Sequence, residues 1–563
     1  MSEHSRRGDS QLRCEPGRSG REVRRAIQSG GSPSSSPPFR RLLGPKKYIL
    51  VPLALTTLVH HSILNHYFIG DEFIHFYNLM NFGLLELLLT PHGGHLLVTS
   101  NSTYFLFYEL FGFETGFYYA VVLLTHILNV SLLFGVIRVF TGSTFVAAMG
   151  STIWGVSPIN EGSVGWFAVY GHVLLGTWML WVLHDVACIS RNQAECSRWM
   201  LARWYMLMLA AATSFGFGLA MAMAFGPAVY LLLAGTDVRT RIAVRFSSLT
   251  IVIPGVYLTL QWLHHTLSGR AVAHGVSESI ERSPWVLANW HIVPLAFLDY
   301  LSYGIASLPI GFLVASVNSS IVAGPLQGVS LETVMHICRG IALLCFIGVA
   351  TAFYRTSAVR RSEGLGLALL VFACYGTIAL WVGLSGRGTF AEAHGMPAVV
   401  HSMTARYHYV APMLLVIIAC LPFGESDRKV ARRRSGFVLL STSGALFAVL
   451  SANASRSFSL PDLRAAHEGT VARIQQIIDR APWGSDVYIP NRPFPFWGID
   501  QEDLFPGWAA IFVISYPENV VDGKRVYFVE NDRGLRERAT AARDTRIGRL
   551  LVSPEAMTGK GRR

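Results

Sequence analysis

Hydrophobic residues along this chain come in blocks near the length at which a helix crosses a bilayer, about 20 residues. Short polar and basic runs set the blocks apart. Gly116 to Val139 reads GFYYAVVLLTHILNVSLLFGVIRV and meets no charge before Arg138; Met335 to Phe353 and Gly436 to Leu450 follow the same pattern. Block by block, this predicts spanning helices near 48–64, 117–138, 144–159, 162–186, 203–220, 221–235, 246–264, 334–353, 364–384, 405–422 and 436–453. The stretch 284–317 is broken by Pro294 and Pro309 and is expected to cross an even number of times, as a hairpin or an interfacial helix. The total is about 11 to 13 spans, and the expected fold class is an all-α polytopic membrane protein.

The pattern changes in three places. Residues 1–45 are rich in Arg, Ser, Gly and Pro, include SGGSPSSSPP and lack an apolar core, which predicts a disordered basic cytoplasmic tail. Residues 66–116 carry Asp71, Glu72, Glu86, Glu109 and Glu114 between apolar stretches and read as a large first outer loop. Within it, Phe73 to Leu89 is expected to lie along the interface, and Leu96 to Phe111 is the one stretch that could span instead. Hydropathy falls again over 455–563: Ile474 to Ile478 suggests a short helix, while DVYIP, AAIFVISY and RVYFVEN read as strands. The expected organisation is therefore a tail at 1–45, a transmembrane domain at 46–454 and a small outer-side α/β domain at 455–563.

Composition supports this reading. Of 563 residues, 51% are hydrophobic and only 15% charged, with a mean hydropathy of +0.39; a soluble chain of this size needs more charge to cover its surface. The net charge of +12 does not point to nucleic acid, because the basic residues gather in runs between apolar blocks. Arg40, Arg41, Lys46 and Lys47 form one run, Arg239, Arg241 and Arg245 another, and Arg428 to Arg434 a third. Such runs mark cytoplasmic loops. They place the amino terminus inside, the carboxyl end outside, and Asp71, Glu72, Glu161, Arg387, Glu392 and Arg406 on or near one outer face. The seven cysteines form no CxxC pair and most lie inside apolar blocks, as packing residues do.

Candidate chemistry follows from that shared face. Asp71 and Glu72 leave the first span directly, and His75 lies one helical turn beyond Asp71. From spacing alone the pair is either a general base or metal-binding acid in an outer cavity, or a solvated acid near a helix start. His92 and His95 flank Gly93-Gly94; they could hold a divalent metal or a phosphate, although two histidines do not define a site. Arg387 and Arg406 carry the fork geometry that suits phosphate, with His394, His401 and His408 nearby in sequence; Arg406 could equally be a snorkelling anchor. His126 and Asn129 share one face of a span and read as interhelical hydrogen-bonders. Asn101-Ser102-Thr103 matches a glycosylation sequon.

The run IGDEFIHFYNLMNFGLLELLLTPHGGHLLVTSNSTYFLFYELFGFETGFYYAVVLLTHILN resembles the opening of GT-C glycosyltransferases, membrane enzymes that use polyprenyl-phosphate sugars, including protein-mannosyltransferase and aminoarabinose-transferase relatives. The shared features are an acid pair after the first span, a Pro…Gly-His turn, a Phe-Gly and a spanning His-x-x-Asn. SPINEGSVGWFAVYGHVLLGTWML is similar to the Pro…Glu…Val-x-Trp element of the same group, and TARYHYVAPMLL to its Arg-Tyr entering a late span. The resemblance covers roughly 45–190 and 400–415. It implies Asp71 as general base with Glu72 second, Glu161 as a further acid, and Trp166, Arg406 and Tyr407 as donor-binding residues; His75, His92, His95, Arg387 and His394 join them as substrate-binding candidates by residue type and position alone. It implies a polyprenyl-phosphate sugar as donor, a lipid, glycan or protein as acceptor, and a bacterial cell membrane as the location. One base and a cation suffice, because polyprenyl phosphate is already a good leaving group. The alternative is a non-enzymatic transporter or lipid-handling protein, which would concentrate its ionisable residues at mid-membrane.

Overall fold

The computed structural model describes residues 46–68, 71–92, 95–268, 292–314, 329–384, 399, 401–423, 442–452, 463–484, 486–490, 508, 520–521, 523–529 and 551–552. The tail expected at 1–45 lies outside them, as do Arg387, Glu392, His394, the basic run at 428–434 and the AAIFVISY stretch.

The chain is an all-α polytopic membrane protein. Among the described residues eight helices are long and apolar enough to cross a membrane. The first is α1 (Lys46–His60), which runs on as a 3-10 turn over His61–Asn65. The loop region after it holds α2 (Asp71–Asn81), α3 (Leu84–Leu89), the two-residue strands β1 (Pro91–His92) and β2 (His95–Leu96), and α4 (Val98–Phe111). The apolar stretch 73–89 is therefore two helices parted at Phe82-Gly83 rather than one. At 14 residues, α4 is shorter than a span.

The core helices are α5 (Thr115–Thr141), α6 (Thr144–Gly155), the single turn α7 (Glu161–Val164) and α8 (Tyr170–Ser190). Gly142 ends α5 with a left-handed φ of 70°, and Ser143 then caps α6 by accepting from the Val146 amide. That glycine–serine turn folds α6 back on α5. Next come α9 (Arg198–Ala212) and α10 (Gly216–Leu232). The break falls at 213–215 rather than near 220, where the Thr213 and Ser214 hydroxyls bond back to the Leu209 and Ala210 carbonyls. Then follow α11 (Arg239–Ser247), α12 (Leu249–Ser268), α13 (Ile292–Val314), α14 (Leu331–Tyr354), α15 (Ala358–Leu384), α16 (Val410–Cys420) and α17 (Thr442–Ala452).

Of the stretch expected to form a hairpin or an interfacial helix, the described residues 292–314 are one helix, α13, long and apolar enough to cross a membrane. Pro294 sits in its first turn, where a missing N–H costs nothing, and Pro309 only kinks it at Ile310.

Helix α5 packs on α6 and α8, α10 on α15, and α16 on α5, α6, α8 and α15. Inside a bilayer the helices gain little from leaving lipid, so close packing and buried hydrogen bonds hold them. His126 and Asn129 of α5 do this as expected. His126 Nδ1 meets the Tyr409 hydroxyl at 2.8 Å and Nε2 the Gly155 carbonyl at 3.1 Å, while Asn129 donates to the Val173 carbonyl and to Tyr409. At the opposite end of the bundle Arg191 pairs with the buried Glu363 and also donates to the Phe140 carbonyl, tying α5, α8 and α15 together.

The carboxyl-terminal part is a small α/β unit. Helix α18 (Leu463–Asp479) packs on β3 (Asp486–Pro490), and Ile474, Ile478, Val487, Ile489 and Val526 are buried. Strand β5 (Lys524–Val529) lies parallel to β3, antiparallel to β4 (Val520–Val521) and parallel to β6 (Leu551–Val552).

Candidate functional site

The segment from Pro158 to Val169 is the hinge of the site. It is too short in each piece to be a helix of its own: a 3-10 turn at Pro158–Asn160, the single turn α7, Gly165 and Trp166, then a 3-10 turn at Phe167–Val169. It therefore presents side chains in several directions between the end of α6 and the start of α8. Glu161 opens α7 and is 5% exposed. Its Oε2 lies 3.1 Å from His60 Nδ1, and its Oε1 lies 3.6 Å from His66 Nε2. His60 ends α1, and its other nitrogen faces the Gly155 carbonyl at 3.2 Å. His66 faces the Gly165 carbonyl through Nδ1 at 3.0 Å. A carboxylate at this depth costs several kcal/mol unless it is paired; His60 lies within hydrogen-bond distance of it, and His66 stands just beyond.

Trp166 links two further residues. Its indole Nε1–H donates to Glu72 Oε2 at 3.0 Å, and the Ala168 amide donates to Glu72 Oε1 at 3.0 Å, so both oxygens of this fully buried carboxylate are held. The Arg406 guanidinium carbon sits 4.8 Å from the centre of the Trp166 ring and 5.1 Å from that of Tyr407. Arg406 belongs to the 3-10 turn Ala405–His408 that leads into α16. Its carbonyl accepts from the Ser163 hydroxyl at 3.1 Å and from His172 Nδ1–H at 2.6 Å. This turn presses on α7 at Gly162, where a Cβ would fall 2.5 Å from the Ala405 Cβ and 2.7 Å from the Arg406 nitrogen.

The structure thus gathers Glu72, Glu161, Trp166, Arg406 and Tyr407 at one end of the bundle. Asp71 is the first residue of α2, but its side chain, like that of His92, lies outside what is described. His75 is buried and stacks on Tyr104 with ring centres 4.3 Å apart. His95 packs instead among Phe215, Trp381 and the backbone at Gly216. His408 is a structural residue, bonded to the Tyr375 hydroxyl and the Ser402 carbonyl. Asn101 is buried and donates to the Leu87 and Thr90 carbonyls, so the sequon is closed to a glycan in the folded chain. Among the described residues no group of three or more His, Cys, Asp or Glu could hold a metal ion.

Sequence reasoning missed His60, His66 and His172. The signal was there: His60, His61 and His66 close an apolar run, and His172 enters another, where an ionisable side chain is costly. His60 and His66 share a target, Glu161 and its turn, about a hundred residues away, and that pairing has no sequence trace; His172 meets the Arg406 carbonyl instead. A separate apolar cavity of about 1330 Å³ between α6, α13, α14, α15, α16 and α17 has none of the site residues in its wall.

No protein-family model matches the chain, and no curated protein does either. Among solved structures the chain is similar to the crystal structure of ArnT from Cupriavidus metallidurans bound to undecaprenyl phosphate, at 13% identity and a TM-score of 0.37, over 91% of this chain and 90% of that one.

Proposed function

We propose that the chain is a membrane glycosyltransferase of the GT-C type, moving a sugar from a polyprenyl-phosphate donor to a lipid, glycan or protein acceptor. The observation that carries this reading is the contact chain Glu72–Trp166–Arg406. It joins the three sequence segments that resemble the GT-C group, although they lie about 90 and 240 residues apart. In this reading Asp71 is the general base, beside a Glu72 that is anchored at both oxygens. Arg406, backed by two aromatic faces, holds the donor phosphate. The acceptor attacks the anomeric carbon from the face opposite the phosphate, with inversion.

The location that fits is a bacterial cell membrane with this end of the bundle facing outward, the amino terminus inside and the carboxyl-terminal unit outside. The test is turnover by purified protein of radiolabelled polyprenyl-phosphate sugars against lipid, glycan and protein acceptors. Transfer abolished in Asp71→Asn supports the reading, and absence of transfer from every donor by the intact protein overturns it.

A further inference from the structure

The partners of His60 and His66 define a proton inventory around Glu161. His60 Nε2 lies 3.2 Å from the Gly155 carbonyl oxygen. A carbonyl only accepts, so Nε2 carries a hydrogen. His60 Nδ1 and Glu161 Oε2, 3.1 Å apart, then hold one hydrogen between them, as imidazolium with carboxylate or as imidazole with carboxylic acid. His66 Nδ1 faces the Gly165 carbonyl at 3.0 Å and carries a hydrogen for the same reason. That fixes the tautomer and turns a bare Nε2 toward Glu161 Oε1, 3.6 Å away. Two lone pairs meet there, and a second proton relieves them.

Access decides which member exchanges. His60 is 0% exposed and Glu161 5%, whereas His66 is 20% exposed. The wall on the far side is closed: His126 donates through Nε2 to the same Gly155 carbonyl and accepts the Tyr409 O–H at Nδ1, so it has no place for another proton. Among the described residues the other titratable or charged groups on the packed elements include Tyr119, whose ring stands edge-on to His66 and whose hydroxyl donates to the Tyr67 carbonyl, Tyr118 beside it, Tyr170, His61, whose Nδ1 turns to the Leu58 carbonyl, and Glu72 and Arg406 in the adjoining contact chain. Gly165 is required by the close fit, because a Cβ there would fall 2.9 Å from Glu161 Oε1 and 3.0 Å from His66 Cε1.

We propose that His60, Glu161 and His66 form a proton-accepting centre that takes up one proton at His66 Nε2. The tautomer and the uptake stand on geometry alone; a role in turnover rests on the function proposed above. In that role the acceptor's X–H bond breaks as the bond from X to the sugar forms. The electron pair of the sugar–oxygen bond leaves on the phosphate; Asp71, the general base of that reading, takes the proton, which then moves to His66 Nε2 and from there to outer water.

The first arm of the test is ring nitrogen-15 spectroscopy of histidine-labelled full-length protein in lipid nanodiscs, with His66→Gln assigning the signal. The expected result is a neutral His66 with its hydrogen on Nδ1 that takes up a second proton at Nε2 as the pH falls. A neutral His66 with its hydrogen on Nε2, or a His66 that never protonates while the fold persists, overturns the proposal. The second arm is turnover. His66→Gln should lower kcat about 10- to 100-fold at unchanged donor KM, below the full general-base effect of about 100- to 10,000-fold. It should also remove one ionisation from the pH profile and respond to added imidazole. Wild-type activity that His66→Gln retains with the same pH profile rejects the role. A wild type inactive with every donor rejects the enzymatic reading and leaves the first arm to decide the centre.

Discussion

The Trp166 indole N–H donates to the Glu72 carboxylate at 3.0 Å while the same ring carries the Arg406 guanidinium on its face at 4.8 Å. One side chain therefore positions a carboxylate through its edge and a cation through its plane, and the two functions can be separated. Trp166→Phe keeps the face and deletes the donor, so Glu72 loses a charged hydrogen bond worth about 1.5–3 kcal/mol and the melting temperature should fall. Trp166→Ala removes the face as well, and donor binding should weaken by a further few-fold, in line with a partly buried cation–π contact of about 0.5–2 kcal/mol. Calorimetry and donor binding on both variants check this; equal donor affinity in both would show that the ring face contributes nothing.

The adjacent acids should part company under isosteric substitution. Glu72 accepts from two N–H donors. A glutamine offers one oxygen only and turns an NH2 group toward one of them, so Glu72→Gln should cost about 1–3 kcal/mol of stability. Asp71→Asn should leave stability near wild type and lower turnover about 100- to 10,000-fold, the size of a general-base effect. Melting curves beside initial rates separate the two. Near-normal turnover in both variants would falsify the acid chemistry proposed here.

Close packing at Gly162 makes a third test. A methyl group there meets the Ala405 Cβ at 2.5 Å and the Arg406 nitrogen at 2.7 Å, both of them backbone-bound and unable to swing aside. Gly162→Ala must push the Ala405–His408 turn away from α7, at a cost of about 1–3 kcal/mol for overpacking. Arg406 moves with that turn, so donor affinity should drop although no charged residue has changed. The comparison with Arg406→Lys, which keeps the charge but loses the fork, shows whether position or chemistry dominates.

The helices were legible because membrane burial writes itself as unbroken apolar blocks, and the strands at 486–490 and 524–529 because β-rich runs stand out in a polar region. The break between α9 and α10 was not, since the Thr213 and Ser214 hydroxyls bond to backbone inside a run that stays apolar on both sides. Nor was the single helix α13: a proline in a first turn and a proline at a hairpin bend read alike until the flanking backbone is seen. Glu161 and Arg406 were singled out by likeness of sequence. Their surroundings were not, because His60 and His66 reach Glu161 across about a hundred residues, and long-range pairing has no local periodicity.

The last prediction concerns sidedness. The Tyr67 hydroxyl lies 2.7 Å from His467 Nδ1, and the His467 ring also lies against Phe73, so α18 of the carboxyl-terminal unit rests on the stretch that leads into α2. Two residues in hydrogen-bond contact lie on one side of the membrane, whichever side that is. Single cysteines at Glu114, which caps the helix whose Tyr119 bonds the Tyr67 carbonyl, and at Glu468, both exposed positions, should therefore react with a membrane-impermeant maleimide from the same face. A cysteine at Arg241, in the basic run of α11, should react from the other. In intact cells the expected outcome is labelling at 114 and 468 and protection at 241 until the membrane is opened. Labelling at 241 with protection at 114 and 468 would invert the orientation and place the proposed donor site on the cytoplasmic side. Opposite results at 114 and 468 would break the contact itself. His467→Ala should leave the labelling pattern unchanged, since topology is set by the basic runs. It should speed tryptic cleavage at the exposed Arg473, because α18 loses its hydrogen bond and its ring contacts with Tyr67 and Phe73 together.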